Sequence, residues 1–146
     1  MVRLLTIGFT QKTAEQFFDL LKKSGVKKIV DIRINNSSQL AGFAKGKDLK
    51  YFAKEICGIT YEHNIDFAPT KELLSDYRKR NVDWIEYQKI FRQLIENRKI
   101  ASKYDVKNYD NACFLCSEKT PEHCHRRLVV EYLREICPED VHIIHL

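Results

Sequence analysis

Residues 3–34 read RLLTIGFTQKTAEQFFDLLKKSGVKKIVDIRI, and the fold class follows from that stretch. Arg3–Phe9 is an apolar run broken at Gly8, the pattern of a strand buried on both faces. Thr13-Ala14-Glu15-Gln16 has the form of a capping box, in which the threonine hydroxyl accepts from the third helical amide and the glutamine reaches back. Ala14, Phe17, Phe18 and Leu21 then recur at helical spacing until Ser24-Gly25 stops the helix. Val26, Ile29, Val30, Ile32 and Ile34 make Lys27–Ile34 a second apolar strand. Strand, helix and strand in this order form a βαβ unit, which takes about 30 residues. Its crossover is right-handed and its strands are parallel neighbours in one sheet.

The rest of the chain repeats the alternation. After a loop rich in Asn, Ser and Gly (Asn35–Gly46), Leu49, Phe52, Ala53 and Ile56 mark a second amphipathic helix ending at Gly58, and Ile59–Ile65 reads as a third strand. Pro69-Thr70 opens a helical region that breaks near Asn81-Val82 and restarts with Asp83 as N-cap. Its second part carries Trp84, Tyr87, Phe91 and Leu94 on one stripe. Lys99–Asn111, polar with interleaved tyrosines, is expected to be the longest surface loop, with Tyr104 and Tyr109 solvated rather than stacked on bases. Ala112–Cys116 is a short strand. Thr120-Pro121-Glu122 predicts a helix start, since threonine caps well and proline at the first helical position loses no bonded amide. Leu128, Val129, Tyr132, Leu133 and Ile136 form that helix's inner face, Pro138 ends it, and Val141–Leu146 is the last strand. The expected fold is one α/β domain over residues 1–146: three layers, a mostly parallel sheet of about five strands, and helices on both faces.

Composition sets limits. Apolar residues are 44% and charged residues 31% of the 146, which is globular composition. No apolar run nears the roughly 20 residues of a membrane-spanning helix, and the N-terminus lacks the apolar core and cleavage site of a signal peptide. A cytoplasmic protein with no membrane partner is therefore expected. The five cysteines (Cys57, Cys113, Cys116, Cys124, Cys137) are an odd number without a regular framework, so thiols are expected rather than structural disulfides. The formal net charge of +5 is compatible with an anionic partner, either a small molecule or a nucleic acid. Apart from small clusters at Lys45–Lys54 and Arg78-Lys79-Arg80, however, the basic residues are scattered as on any solvated surface.

Sites in open α/β sheets form at the carboxyl ends of the strands. Here those ends carry Gly8-Phe9-Thr10, then Asp31-Ile32-Arg33 with Asn35 and Ser37-Ser38, then Cys116-Ser117-Glu118. The following helix adds Cys124, His125 and Arg126 near its start. A thiol pair, an imidazole, two guanidinium groups and two carboxylates thus converge on one rim. Cys124, placed in or just past the first helical turn, is expected to gain thiolate character from the exposed amides. Arg126 is suited to gripping a carboxylate or phosphate. Cys116 ends a strand, where backbone amides can cradle an anion. A phosphatase-type Cys-x5-Arg loop is excluded because position 122 holds Glu122, and Glu118 beside the thiol suits acid–base work. Asp31 and Arg33 read equally well as a structural ion pair.

Metal binding is the weaker alternative. Cys113 and Cys116 have Cys-x2-Cys spacing, but residues three apart on a strand face opposite sides, and helical neighbours such as Cys124 and His125 diverge by about 100°. A zinc or iron ion would have to use Cys116, Cys124 and one histidine. No residue is assigned as a metal ligand, and the cofactor is left open.

Thr6-Ile7-Gly8, Asp31-Ile32-Arg33 with Ser37-Ser38, Gly58-Ile59-Thr60-Tyr61, Leu115-Cys116-Ser117-Glu118 and Pro121-Glu122-His123-Cys124-His125-Arg126 together resemble the motifs of a bacterial and archaeal family, domain of unknown function 488 (DUF 488). The resemblance runs nearly end to end. Phe9-Thr10 stands where family members often have His-Ser, and Asn35-Asn36 where they often have a proline. The resemblance implies a fold and a site location; the family brings no established activity.

The leading expectation is a thiol-dependent enzyme acting on a nucleotide, nucleic acid or other phosphorylated substrate. Cys116, Glu118, Cys124 and His125 would be its catalytic residues, and Gly8, Asp31, Arg33, Ser38 and Arg126 its substrate-binding ones. The alternatives are a redox- or ligand-sensing module with a reversible Cys116–Cys124 disulfide, a rhodanese-like sulfur transferase, and a small metal-binding protein.

Overall fold

A computed structural model describes residues 1–37, 42–118 and 120–146. Its five strands, β1 (Val2–Gly8), β2 (Lys28–Asp31), β3 (Thr60–His63), β4 (Ala112–Cys116) and β5 (Val141–His145), lie in the order β3-β2-β4-β1-β5. Every neighbouring pair is parallel. The helices are α1 (Ala14–Lys23), α2 (Gly46–Phe52, continued by a π turn to Cys57), α3 (Lys71–Arg78), α4 (Trp84–Asn97), α5 (Ile100–Lys103) and α6 (His125–Ile136). This is the expected α/β architecture. None of the helices among the described residues is long and apolar enough to cross a membrane.

The local signals act where they stand. Thr13 Oγ1 accepts from the Gln16 amide at 3.1 Å, and Gln16 Oε1 accepts from the Thr13 amide at 2.9 Å, which closes the capping box of α1. The strands alternate between two cores, because successive side chains on a strand point to opposite faces. Leu5, Ile7, Ile29, Cys113 and Leu115 pack with Phe17, Phe18 and Leu21 of α1 and Leu49 of α2. Leu4, Val30, Ile32 and Phe114 pack with Leu73 of α3, Tyr87 and Phe91 of α4, and Val129 and Leu133 of α6. The sheet is thus a middle layer, with α1 and α2 on one side and α3, α4 and α6 on the other.

That layering creates a crevice. β1 and β4 are neighbours, yet the helix after β1 lies on one face and the helix after β4 on the other. Their carboxyl ends therefore part, as at the topological switch point of other open sheets. Gly8 and Cys116 are register partners at that point.

Several boundaries depart from the sequence expectations. β2 and β3 are shorter than the apolar runs Lys27–Ile34 and Ile59–Ile65, since the chain curls into the site after Asp31 and into a 3-10 turn at Ile65–Phe67. The Lys99–Asn111 segment is not a solvated loop. It forms α5 and a 3-10 turn at Val106–Tyr109, and buries Ile100, Val106 and Tyr109. The Tyr104 and Tyr109 rings lie 5.0 and 6.1 Å from the Phe67 ring, and the Tyr104 hydroxyl donates to Asp66 at 2.6 Å. These tyrosines anchor a core. The last long helix begins not at Thr120-Pro121 but at His125, with Cys124 as its N-cap in an extended conformation (φ −129°, ψ 139°). Residues 121–124 form a turn closed by the Cys124 amide on the Pro121 carbonyl at 3.3 Å.

Candidate functional site

The floor of the crevice is built from β1, β4 and the start of α6. Gly8 is placed so that any Cβ there would run into the Glu118 carbonyl and the Arg126 guanidinium. Glycine is required for this close approach. The neighbouring turn is tied down by Thr10, whose amide (3.2 Å) and hydroxyl both donate to the Ser117 carbonyl.

Arg126 is fully buried, and its Nη1 donates to both the Cys116 sulfur (3.4 Å) and the Glu118 carbonyl (2.5 Å). It stands beneath the site, holding the loop after β4, and does not line the cleft above. The Cys116 and Cys124 thiols are neighbours, and the titration of each depends on the other. Burial raises the Cys116 thiol, but the neighbouring Cys124 thiol, the charge and hydrogen bond of Arg126 and the Glu118 amide outweigh it, and the net shift is downward. Cys124 shifts the other way. The neighbouring Cys116 thiol pushes it up, and burial and the Cys116 charge push further. The helix N-terminus was expected to make Cys124 the acidic thiol; its shift runs upward instead, and it is Cys116 that is lowered. Cys113, on the opposite face of β4, is fully buried and raised by desolvation.

At the carboxyl end of β2, Asp31 and Arg33 do form the structural ion pair that was one of two expectations. Arg33 Nε reaches Asp31 Oδ1 at 2.8 Å and Nη2 reaches Oδ2 at 2.6 Å, with both side chains buried. Nη2 also donates to the Ala44 carbonyl at 2.8 Å, and the guanidinium lies over the Phe9 ring. The Tyr61 hydroxyl donates to Asp31 Oδ2 at 2.5 Å. Arg33 Nη1 is buried without a hydrogen-bond partner among the described residues. Asp31 is thus a support for Arg33 and does not itself line the cleft, whereas Arg33 does.

His125 caps the assembly from α6. Its Nε2 lies 2.8 Å from the Ile32 carbonyl, which can only accept, so Nε2 carries the proton. Burial lowers its pKa to about 4; the Arg126 charge adds to this, and the Ile32 bond and Asp31 oppose it. At neutral pH the ring is uncharged. Because the folded value lies below the ordinary 6.5, its stabilising contribution is complete above that pH and is lost as the pH falls through 4. It is worth about 3 kcal/mol. Urea unfolding at pH 7 and pH 4 should therefore show a loss that His125→Gln reduces by most of that amount. An equal acid loss in both proteins would reject this assignment.

Above these groups opens a cleft of about 720 Å³. Of the residues singled out in the sequence, Arg33, Cys116, Glu118, Cys124 and His125 line it. Gly8, Asp31 and Arg126 stand behind it, and Ser38 lies outside the described residues. The opposite wall was missed: Lys71, Ser75, Tyr77, Arg78 and Lys79 from α3 and its end, with Tyr87 from α4. A signal for it existed in the sequence, since Lys71, Ser75, Arg78 and Lys79 follow the spacing of a single helix face. Among the described residues no group of three or more Cys, His, Asp or Glu is arranged to hold a metal ion.

The family model described as "Domain of unknown function DUF488" matches residues 13–133. No curated protein and no solved structure gives a match.

Proposed function

The chain belongs to the DUF488 family, and we propose that it is a thiol-dependent enzyme acting on an anionic substrate, with Cys116 as its nucleophile. One observation carries this: the Cys116 thiol lines the cleft together with lysine and arginine of α3, hydrogen-bonded by Arg126 and lowered by its surroundings. A thiolate is the nucleophilic form of cysteine, and groups that favour it make it available at neutral pH. In the proposed step the Cys116 electron pair bonds to an electrophilic centre of the substrate. The leaving group departs with a proton from Glu118, and water then releases the acyl or related group from sulfur. Glu118, exposed at the cleft, serves as the acid–base group. His125 holds the end of β2 against α6 through the Ile32 carbonyl. Five free thiols suit a reducing, cytoplasmic setting.

The closeness of the Cys116 and Cys124 thiols, each of which shifts the other, favours a second reading, a redox module. There the two thiols and one peroxide would give a disulfide and two waters.

One experiment addresses both. Iodoacetamide labelling across pH, read by peptide mapping, is expected to modify Cys116 with a midpoint below the roughly 8.5 of a free thiol, and Cys116→Ser should abolish that phase. A Cys116 midpoint at or above the free-thiol value overturns the enzyme reading. A Cys116–Cys124 link in peroxide-treated samples supports the redox reading, and its absence removes it.

A further inference from the structure

Proteins seldom bury a guanidinium nitrogen with nothing to donate to, because an unsatisfied buried donor costs about 1–3 kcal/mol, and more when charged. Arg33 does so beside the cleft. Asp31 takes Nε and Nη2, the Ala44 carbonyl takes Nη2 again, and Nη1 is left over. The same pairing fixes the plane of the guanidinium, so the spare group is held in one orientation rather than free to fold back. Such a group is prepared for an acceptor that the described residues do not supply.

The facing wall says what kind of acceptor. Lys71, Arg78 and Lys79 line the cleft across from Arg33, with Ser75 on the same helical face. Arg33 is already balanced by Asp31, so the lining sets three further cations against a single carboxylate, Glu118, an excess of two. A carboxylate ligand carries one charge and would leave half of that excess unmatched. A phosphate monoester carries nearly two, and offers three terminal oxygens to donors arriving from several directions. The size of the cleft agrees, since about 720 Å³ is in the range of small-molecule pockets. The cations are gathered on one wall of the cleft, not drawn out in the long stripe that a nucleic-acid backbone follows.

We infer that this cleft binds a small phosphate monoester, its phosphoryl oxygens held between Arg33 Nη1 and the Lys71, Arg78 and Lys79 wall of α3. The proposed thiol chemistry determines only that the ligand is a substrate; the binding itself does not depend on it.

Calorimetric titration with AMP, ribose 5-phosphate, inorganic phosphate, adenosine and a short single-stranded oligonucleotide tests this. A phosphate monoester is expected to bind, and adenosine not. AMP against ribose 5-phosphate distinguishes a nucleotide from a sugar source. Lys71→Gln combined with Arg78→Gln, at exposed positions that the fold does not use, should weaken binding about tenfold or more, and Arg33→Lys should do the same if it folds. Failure of both esters to bind overturns the inference. So does binding indifferent to the α3 variant, or an oligonucleotide that binds tenfold more tightly than AMP. Repeating the titration on Cys116→Ser separates the two proposals. Binding retained in Cys116→Ser, together with a Cys116 that titrates like a free thiol in the unsubstituted protein, would keep the phosphate site and remove the thiol enzyme. An acidic Cys116 in a protein that binds no ester would do the reverse.

Discussion

Asp31→Ala is expected to lower the free energy of unfolding by about 3–5 kcal/mol, a large share of a small domain's stability. Asp31 is completely buried and accepts from Arg33 Nε, Arg33 Nη2 and the Tyr61 hydroxyl. Removing it does more than lose those bonds. It leaves the Arg33 charge, only 5% exposed, with the Ala44 carbonyl and the Phe9 ring as its remaining partners. An uncompensated buried cation is the costly product, so taking away both partners should be far cheaper than taking away one. The double variant Asp31→Leu with Arg33→Met is therefore expected to regain much of the loss, while Tyr61→Phe costs only about 1–2 kcal/mol for one bond to a charged acceptor. Urea unfolding of the four proteins provides the check. If Asp31→Ala costs less than about 1 kcal/mol, or the double variant is no better than the single, the ion pair is not what holds this strand end.

What the sequence disclosed about this region depended on the range over which each structural cause acts. The βαβ unit was legible because its causes are local: the capping box at Thr13, the Phe17-Phe18-Leu21 stripe and two apolar runs lie within thirty-odd residues. The opposed faces of Cys113 and Cys116 were legible because strand periodicity permits nothing else. The start of α6 was not. Thr120-Pro121 is a better cap in isolation, but Cys124 must be extended to set its sulfur against Cys116, and this tertiary contact overrides the local preference. The buried role of Tyr104 and Tyr109 was hidden for a similar reason. α5 and the 3-10 turn span about one helical turn each, too short for a periodic signal, and their partner Phe67 lies some forty residues earlier. The basic wall of the cleft followed the same rule. Arg78-Lys79-Arg80 looks like any solvated cluster until the sheet order carries α3, which follows the edge strand β3, over the end of β4.

Arg126→Met should raise the alkylation midpoint of Cys116 by about one unit or more, and slow its reaction at neutral pH about tenfold or more. Methionine approximates the length of the lost side chain but brings no donor and no charge. Cys116 would keep the neighbouring Cys124 thiol and the Glu118 amide, and lose the guanidinium that offsets its burial. The Glu118 carbonyl would lose the same Nη1 donor, which should loosen the turn that closes over Gly8. Stability should nevertheless fall less than in Asp31→Ala, because the variant takes a charge out of the interior instead of leaving one there uncompensated. Two histidines report independently. The charge of Arg126 helps to lower both His125 and His145, so both should titrate at higher pH in Arg126→Met, a change that proton NMR resolves and that loosening alone would not produce in both. Arg126→Lys divides charge from geometry. An ammonium restores the field but not the fork, so the histidines should return toward their original values, while Cys116 recovers only in part. A Cys116 midpoint unmoved in Arg126→Met would assign the thiolate to Cys124 and the loop amide alone, and leave Arg126 only the task of holding the Glu118 carbonyl.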